Sequence, residues 1–480
     1  MPPGAAAVFH PMDASLPFNA ELLRRYDRPG PRYTSYPTAP QFSNAFGEAQ
    51  LREAAAASNG DPIPRRLSLY VHVPFCVSPC FYCGCNRIIT RDKSRAETYL
   101  ARLYREIDMT AALFDRDREV VQLHLGGGTP NFMDPAQIGE LVDALRRQFH
   151  FARPDESDIS IELDPRFVSP ADIAELGRIG FNRASFGVQD FDPVVQEAVN
   201  RIQSVEETRA VVDACRANGF RSVNVDLIYG LPKQNPEGFA RTLDTVLEMR
   251  PDRLAVYGYA HLPEVFRPQN QIKAEDLPSP EQKLGLLELA ITKLSAGGYE
   301  YIGMDHFALP DDDLAMAQAR GSLHRNFMGY TTHADSDLIG MGVSAISHIG
   351  DTFSQNPRDL PSWQFAIDEG RLPVFRGMRL DEDDVIRADL IQQLMCQAEV
   401  PMGALERRHA IDFRDYFADS LARLEPLQQD DLVRVEGDRI KVTGRGRLLL
   451  RNIAMCFDRY LTPAPAPAES DSRPRFSRAI

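Results

Sequence analysis

The strongest constraint in this chain is a rhythm. Six short β-branched runs alternate with amphipathic helical stretches. The runs are LSLYVHVPF (67–75), VVQLHLGGG (120–128), DISIELDP (158–165), RASFGVQ (183–189), SVNVDLIYG (222–230) and RLAVYGYA (253–260). Helical patterns fall between them at 96–114, 135–149, 205–219 and 236–250. Successive βα units of this kind predict a parallel sheet, either open or curled toward a barrel.

The period-2 pattern chooses between those two. Leu67, Leu69, Val71 and Val73 share a face, with Tyr70 and His72 opposite. Val121, Leu123 and Leu125 oppose Gln122 and His124, and Ile159, Ile161 and Leu163 oppose Glu162 and Asp164. Phe186 and Val188 oppose Ser185 and Gln189, and Val223, Val225 and Leu227 oppose Asn224 and Asp226. An open doubly wound sheet is apolar on both faces. Here each strand has one apolar and one polar face, and polar faces converge only around a wet lumen. A complete eight-stranded barrel fills its lumen with branched side chains. The expected fold is therefore α/β, a partial (β/α)6-type barrel with a ligand-filled interior.

The expected boundaries are an N-terminal arm at 1–55, the barrel at 56–370, a C-terminal helical domain at 371–462 and a flexible tail at 463–480. Residues 1–20 read as a loose leader. Residues 281–347 are expected to continue the barrel unit. Beyond 380 the pattern runs helix, helix, hairpin, helix, which resembles a winged-helix module. A DNA-reading role conflicts with the charge, since 54 Lys and Arg against 68 Asp and Glu leave −14, and nucleic-acid binding needs a basic surface. The expectation is a helical packing domain, with no nucleic acid as partner. No run of 18 apolar residues predicts a membrane span, and no signal peptide is legible. Without a coiled-coil seam the chain is expected to be a monomer.

Seven cysteines suit no disulfide framework, and four of them crowd into VHVPFCVSPCFYCGCN. Cys76, Cys80 and Cys83 form C-x3-C-x2-C, with Cys85 two residues on. The cluster follows the first strand, at the carboxyl end where barrel sites lie. Zinc prefers four ligands in paired knuckles, and there is no second knuckle. Three thiolates on one loop suit three corners of a [4Fe–4S] cubane with one iron open. Cys215, Cys396 and Cys456 stand alone in helical patterns and read as buried thiols. Such a cluster belongs in a reducing cytoplasm. Gly126, Gly127 and Gly128 end the second strand, where glycine lets backbone approach a ligand. Glu162 falls on the lumen face. His72 and His124 lie on the same polar faces and read as hydrogen-bond partners.

The C-x3-C-x2-C run after a first barrel strand resembles the signature of the radical S-adenosylmethionine (SAM) superfamily. That resemblance implies that the open iron takes the amino and carboxylate groups of SAM, and that an electron from the cluster yields a 5′-deoxyadenosyl radical. The likeness extends further. PRYTSYPTAPQF, CFYCGCN, LGGGTP, SIELDPR, FNRASFGVQDF, NVDLIYGLPKQ, YAHLP, IGMDHFA, LHRNFMGYTT and FSRAI resemble the oxygen-independent coproporphyrinogen III oxidase family over residues 20–480.

The family resemblance implies an enzyme that converts two propionates of coproporphyrinogen III into vinyl groups, served by a reducing electron donor. It implies Cys76, Cys80 and Cys83 as cluster ligands. It implies Tyr70, Gly127, Glu162 and Ile346 around the cluster-bound SAM, and a second SAM at Tyr82, Gly128, Thr129, Gln189, Arg201, Asp226 and Ala260. Cys85 matches a family cysteine that does not ligate iron and stands as a catalytic candidate. The candidate partners for propionates are Arg24, Arg25, Arg28 and Arg32 in the arm and Arg473, Arg475 and Arg478 in the tail. A related haem-trafficking branch is the alternative; it generally lacks the PRYTSYPTA segment and the fourth cysteine, both present here.

Overall fold

The computed structural model describes residues 16–461. The first part of the expected leader, the tail with its three arginines and residue 462 lie outside the described residues. The chain divides into two compact units, each assembled from separated segments.

The larger unit comprises Phe42–Ala290 and Asp335–Arg379. It holds the six expected strands: β1 (Arg66–Val73), β2 (Glu119–Gly127), β3 (Asp158–Leu163), β4 (Arg183–Gln189), β5 (Ser222–Tyr229) and β6 (Arg253–Gly258). Helices α1 (Ser94–Ala111), α2 (Pro135–Gln148), α3 (Pro170–Ile179), α4 (Val205–Ala217) and α5 (Pro236–Met249) connect them. Their starts are written into the sequence. Asp134, Ser169, Ser204 and Asn235 each accept a backbone N–H of the first helical turn, and proline follows directly in three of the four. A side-chain cap satisfies an otherwise orphaned donor, and proline has no N–H to waste there.

Four further strands extend the unit's sheet beyond β1: β7 (Ser336–Met341), β8 (Ile346–Ile349), β9 (Thr352–Gln355) and β10 (Arg376–Arg379), and the short strand His150–Phe151 pairs in parallel with β2 off the main order. The order is β6-β5-β4-β3-β2-β1-β7-β8-β9-β10. Pairing is parallel from β6 to β7 and antiparallel from β7 to β10. The order does not close on itself, so the barrel is partial. The six expected strands are all present, and β7 adds a further parallel strand to the order beside β1. That strand lies within 281–347, the stretch expected to continue the barrel unit, and it gives β1 a neighbour on each side. The apolar faces read from the alternation are buried: Leu69, Val71, Val73, Leu123, Leu125, Ile161, Phe186, Val225 and Leu227 are all 0% or 1% exposed or fully enclosed. Each such side chain contributes about 1.5–3 kcal/mol.

The other unit comprises the residues up to Gln41, Ile291–Ala334 and the residues from Leu380. The expected linear boundaries at 55 and 370 differ from this grouping. The physical reason is local. Gln318 donates to the carbonyls of Ile302 and Cys396, and Arg447 donates to the carbonyl of Tyr301. Ile302, Leu314, Leu323, Tyr330 and Cys396 share one apolar cluster. In the arm, Ala20–Tyr26 is helical, Tyr33 and Tyr36 are buried, and the Tyr33 hydroxyl donates to Asp458 at 2.9 Å. The C-terminal segment has the expected helices and hairpin, plus a third strand, Glu399–Pro401, on Arg439–Val442.

Candidate active site

The cysteine loop leaves the carboxyl end of β1 and is pinned at both ends. The short strands Phe75–Cys76 and Ile88–Ile89 pair in parallel. The Asn86 carbonyl accepts from His72 Nε2 at 3.0 Å, while His72 Nδ1 accepts from the Tyr70 hydroxyl at 3.1 Å. Arg87 draws the loop together, donating to the carbonyls of Cys80 (3.2 Å), Cys83 (3.2 Å) and Cys85 (3.3 Å).

Inside the loop, the thiols of Cys76, Cys80 and Cys83 line one cavity of about 180 Å³. Cys85 and Tyr82 line it as well. Thr129 Oγ1 lies 3.2 Å from Cys76 Sγ. Burial pushes the Cys76 thiol up to about 11. A hydrogen bond from Cys85 pulls Cys83 down to about 6, and Cys85, the donor of that pair, is raised. Cys85 is solvent-exposed.

The opposite wall comes from the carboxyl ends of β2–β5. Gly127, Gly128 and Thr129 reach the cavity from β2, and Glu162 from β3. Gly127 has φ +121°, and a Cβ there would stand 2.7 Å from the His72 ring. A Cβ on Gly128 would stand 2.8 Å from the Pro74 backbone. Both positions therefore exclude a side chain. Glu162 accepts from His124 Nε2 and from the Gly127 N–H, each at 3.2 Å. Desolvation opposes ionisation of Glu162, but those hydrogen bonds hold its carboxyl below the usual range. His124 is set in turn by Ser160 at 2.6 Å and by Tyr70, whose ring stacks on it at 5.9 Å.

Gln189, Arg201 and Asp226 line the remaining side. Gln189 sits at a bulge of β4 with φ 70°. Bulges re-aim a side chain beside active sites. Burial pushes Asp226 up to about 6, against hydrogen bonds from Asn224 (2.9 Å) and Ser185 (3.2 Å). Arg201 donates to Asp164 at 3.1 Å, to Cys80 Sγ at 3.4 Å and to the Gly187 carbonyl. Its Nε is buried with no hydrogen-bond partner.

Three resemblance-derived residues stand behind the wall. Tyr70 backs His124. Ala260 is joined to Tyr82 by Gln269, whose amide donates to both carbonyls (3.2 and 2.9 Å). Ile346 begins β8, and its backbone closes over Gly340, which pairs with Tyr70 in the sheet. Arg87, Asp164 and Arg166 went unassigned in the sequence. Arg166 donates to Asp164 at 2.7 Å and approaches Cys80 Sγ at 3.6 Å. Asp164 is marked by the alternation; the two arginines follow loops that carry no periodicity.

Among the described residues no group of three or more His, Cys, Asp or Glu is arranged to hold a single metal ion. A mononuclear centre needs such convergence, whereas a cubane places each thiolate on a different iron. Three thiols facing one cavity, cationic guanidinia beside them and an unpartnered buried Arg201 Nε fit an anionic iron–sulfur cluster with a polar co-ligand.

The comparisons with known proteins agree with this geometry. The model of the Radical SAM superfamily matches residues 70–246, and that of the HemN C-terminal domain matches residues 380–449. Oxygen-independent coproporphyrinogen III oxidase of Pseudomonas aeruginosa is 51% identical over 463 residues, spanning 96% of this chain and 99% of that one. Its namesake in Escherichia coli is 51% identical over 440 residues, spanning 92% and 95%. That of Synechocystis is 44% identical over 467 residues, spanning 96% and 98%. The solved structure described as "Coproporphyrinogen III oxidase (HemN) from Escherichia coli is a Radical SAM enzyme" superposes with a TM-score of 0.88 at 49% identity, covering 93% of this chain and all of that one.

Proposed function

This chain belongs to the oxygen-independent coproporphyrinogen III oxidase family within the radical SAM superfamily, and from that premise we propose that Cys76, Cys80 and Cys83 carry its [4Fe–4S] cluster. The chain is an oxidoreductase of haem biosynthesis that decarboxylates two propionates of coproporphyrinogen III to vinyl groups, giving protoporphyrinogen IX. When bound, the cluster and SAM supply the one-electron chemistry that removes a hydrogen atom from a propionate.

The rest is the work of this chain's own side chains. Glu162, kept ionised by His124 and the Gly127 N–H, is the acceptor for ribose hydroxyls of a SAM against β2. Gly127 and Gly128 let that ligand lie against bare backbone. Arg201 offers Nε to a carboxylate, and Asp226 and Gln189 complete a place for a second SAM. Asp226 holds a proton at its carboxyl below about pH 6. Arg87 fixes the loop carbonyls so that the thiols keep their spacing. Tyr82, packed with Phe81 against a buried apolar cluster, shields the cavity floor from water. Exposed Cys85 is the candidate for a step after hydrogen abstraction.

The observation that carries the reading is the convergence of three thiols from one loop and Glu162 from β3 on one cavity. The haem-trafficking alternative is not favoured, because the oxidase relatives match nearly end to end. We further propose an external one-electron reductant, a cytoplasmic location and a monomer. Free cysteines throughout the described residues support a reducing compartment. No helix among the described residues is long and apolar enough to cross a membrane. The test is anaerobic reconstitution with iron and sulfide, followed by mass analysis of tetrapyrrole and SAM products. Loss of two CO2 per tetrapyrrole is expected, and abolished in C76A, C80A and C83A. Turnover in any of these three overturns the cluster assignment.

A further inference from the structure

In the unit that holds Ile291–Ala334, Arg325 is a buried charge with no ion pair among the described residues. Arg325 lies in the hairpin His324–Asn326/Gly329–Thr331, directly across from Tyr330. It is 4% exposed, and its guanidinium stacks on the Tyr330 ring at 4.7 Å. Its Nε and Nη1 are buried and make no hydrogen bond. The Tyr330 hydroxyl is itself committed to the Met395 carbonyl at 3.1 Å. An isolated buried guanidinium is costly, and proteins keep one only where an anion compensates it.

The surroundings increase the deficit. Arg451, 5% exposed, donates to the carbonyls of Gly30 and Pro31. Burial, and then the charges of Arg32 and Arg325, push it down to about 10. Asp305 is the nearby carboxylate, and it is paired with Arg32. The His306 ring packs against Tyr330 in a T-shaped arrangement, with centroids 5.2 Å apart.

We propose that Arg325, held flat on Tyr330 beside Arg451 and the Arg32–Asp305 pair, is a recognition site for a propionate carboxylate of the tetrapyrrole substrate. A guanidinium held by stacking presents its free N–H edge as a fork, which matches the two oxygens of a carboxylate. The substrate has four such groups. The inference rests on the family reading above, and it revises the expected list of arginines. Arg25 is spent on Asp430 at 2.7 and 2.8 Å, and Arg32 on Asp305.

The test uses the full-length reconstituted protein and coproporphyrin III, the air-stable form with the same four propionates. Arg325→Met removes charge and fork while keeping an apolar stem. The expected result is a ten- to hundredfold weaker coproporphyrin III affinity, with unchanged iron content and SAM affinity and a higher melting temperature without ligand. Arg325→Lys keeps the charge but not the fork, and is expected to lose affinity by at least several-fold; it decides the matter if the methionine variant does not fold. Unchanged affinity in the folded variants overturns the site. So does stabilisation of the wild type by acetate at matched carboxylate concentration equal to that by coproporphyrin III, which would mark a general anion site. If wild type turns over coproporphyrinogen while R325M does so with unchanged KM, the site fails and the family reading stands. Wild type inert toward coproporphyrinogen defeats both.

Discussion

Arg201 Nη1 lies 3.4 Å from the sulfur of Cys80, and Arg166 Nη2 approaches the same sulfur at 3.6 Å. Both guanidinia lean on Asp164, so one carboxylate offsets two cations beside a single thiolate. Cluster potentials follow net charge and hydrogen bonds to sulfur. A nearby cation favours the more negative, reduced form. Arg166→Gln is therefore expected to lower the midpoint potential of the reconstituted cluster, and Arg166→Lys to lower it less. Potentiometric titration followed by EPR reads this without turnover. An unchanged potential in both variants would remove the role.

Glu162 offers a second measurement. Its two donors, His124 and the Gly127 N–H, keep it ionised as an acceptor. Hydrogen bonds to a charged group are worth about 1.5–3 kcal/mol. Glu162→Gln is expected to weaken SAM binding about ten- to a hundredfold by calorimetry on reconstituted protein, with iron content unchanged.

The larger unit has a titration of its own. Glu106 is fully buried in α1 and accepts from the Gly342 N–H (2.8 Å), Asn356 (2.7 Å) and the Trp363 indole (3.0 Å). Burial nevertheless pushes its carboxyl up to about 7 from 4.5. Between those values the folded protein holds a proton that the unfolded chain has released. Its contribution is complete below pH 4.5 and is lost as pH rises through 7, a change of about 3 kcal/mol. Denaturant midpoints measured from pH 5 to pH 8 should fall with this slope in wild type. In Glu106→Gln the component should vanish.

Arg118 and Asp337 form a fully buried ion pair in this unit, 2.7 Å apart, with side chains 2% and 0% exposed. Arg118 also holds Asn59 and the Arg65 carbonyl, and Asp337 accepts from the Gly350 N–H. Arg118→Ala leaves the buried Asp337 carboxylate with only the more distant Arg65, at 3.9 Å, as a cation and is expected to cost about 3 kcal/mol in chemical unfolding. A double replacement by apolar residues of similar volume is expected to cost less.

Much of this was legible because alternation has a physical cause. A strand covered by helices on one face only must be written apolar–polar, and Glu162, Gln189 and Asp226 fell on the wet face by that rule. β7 was not legible. Its SDLIGM stretch is short, borders glycine, and pairs with a strand far away in the chain. The grouping of Ile291–Ala334 with the C-terminal segment was equally hidden, because it depends on side chains such as Gln318 reaching distant carbonyls. Arg325 shows a third limit. Its sequence marks a motif, but only burial without a counter-charge makes it a site. Arg87 and Arg166 each act through several contacts made from irregular backbone, where no period exists to be read.

The place of β1 between β2 and β7 has a consequence for biogenesis. The strand that presents the cysteines lacks a neighbour on one flank until Ser336–Met341 has emerged from the ribosome. Non-local parallel pairing of this kind is slow to form. The sheet around the cysteine loop is thus completed by a segment made more than two hundred residues after the loop itself.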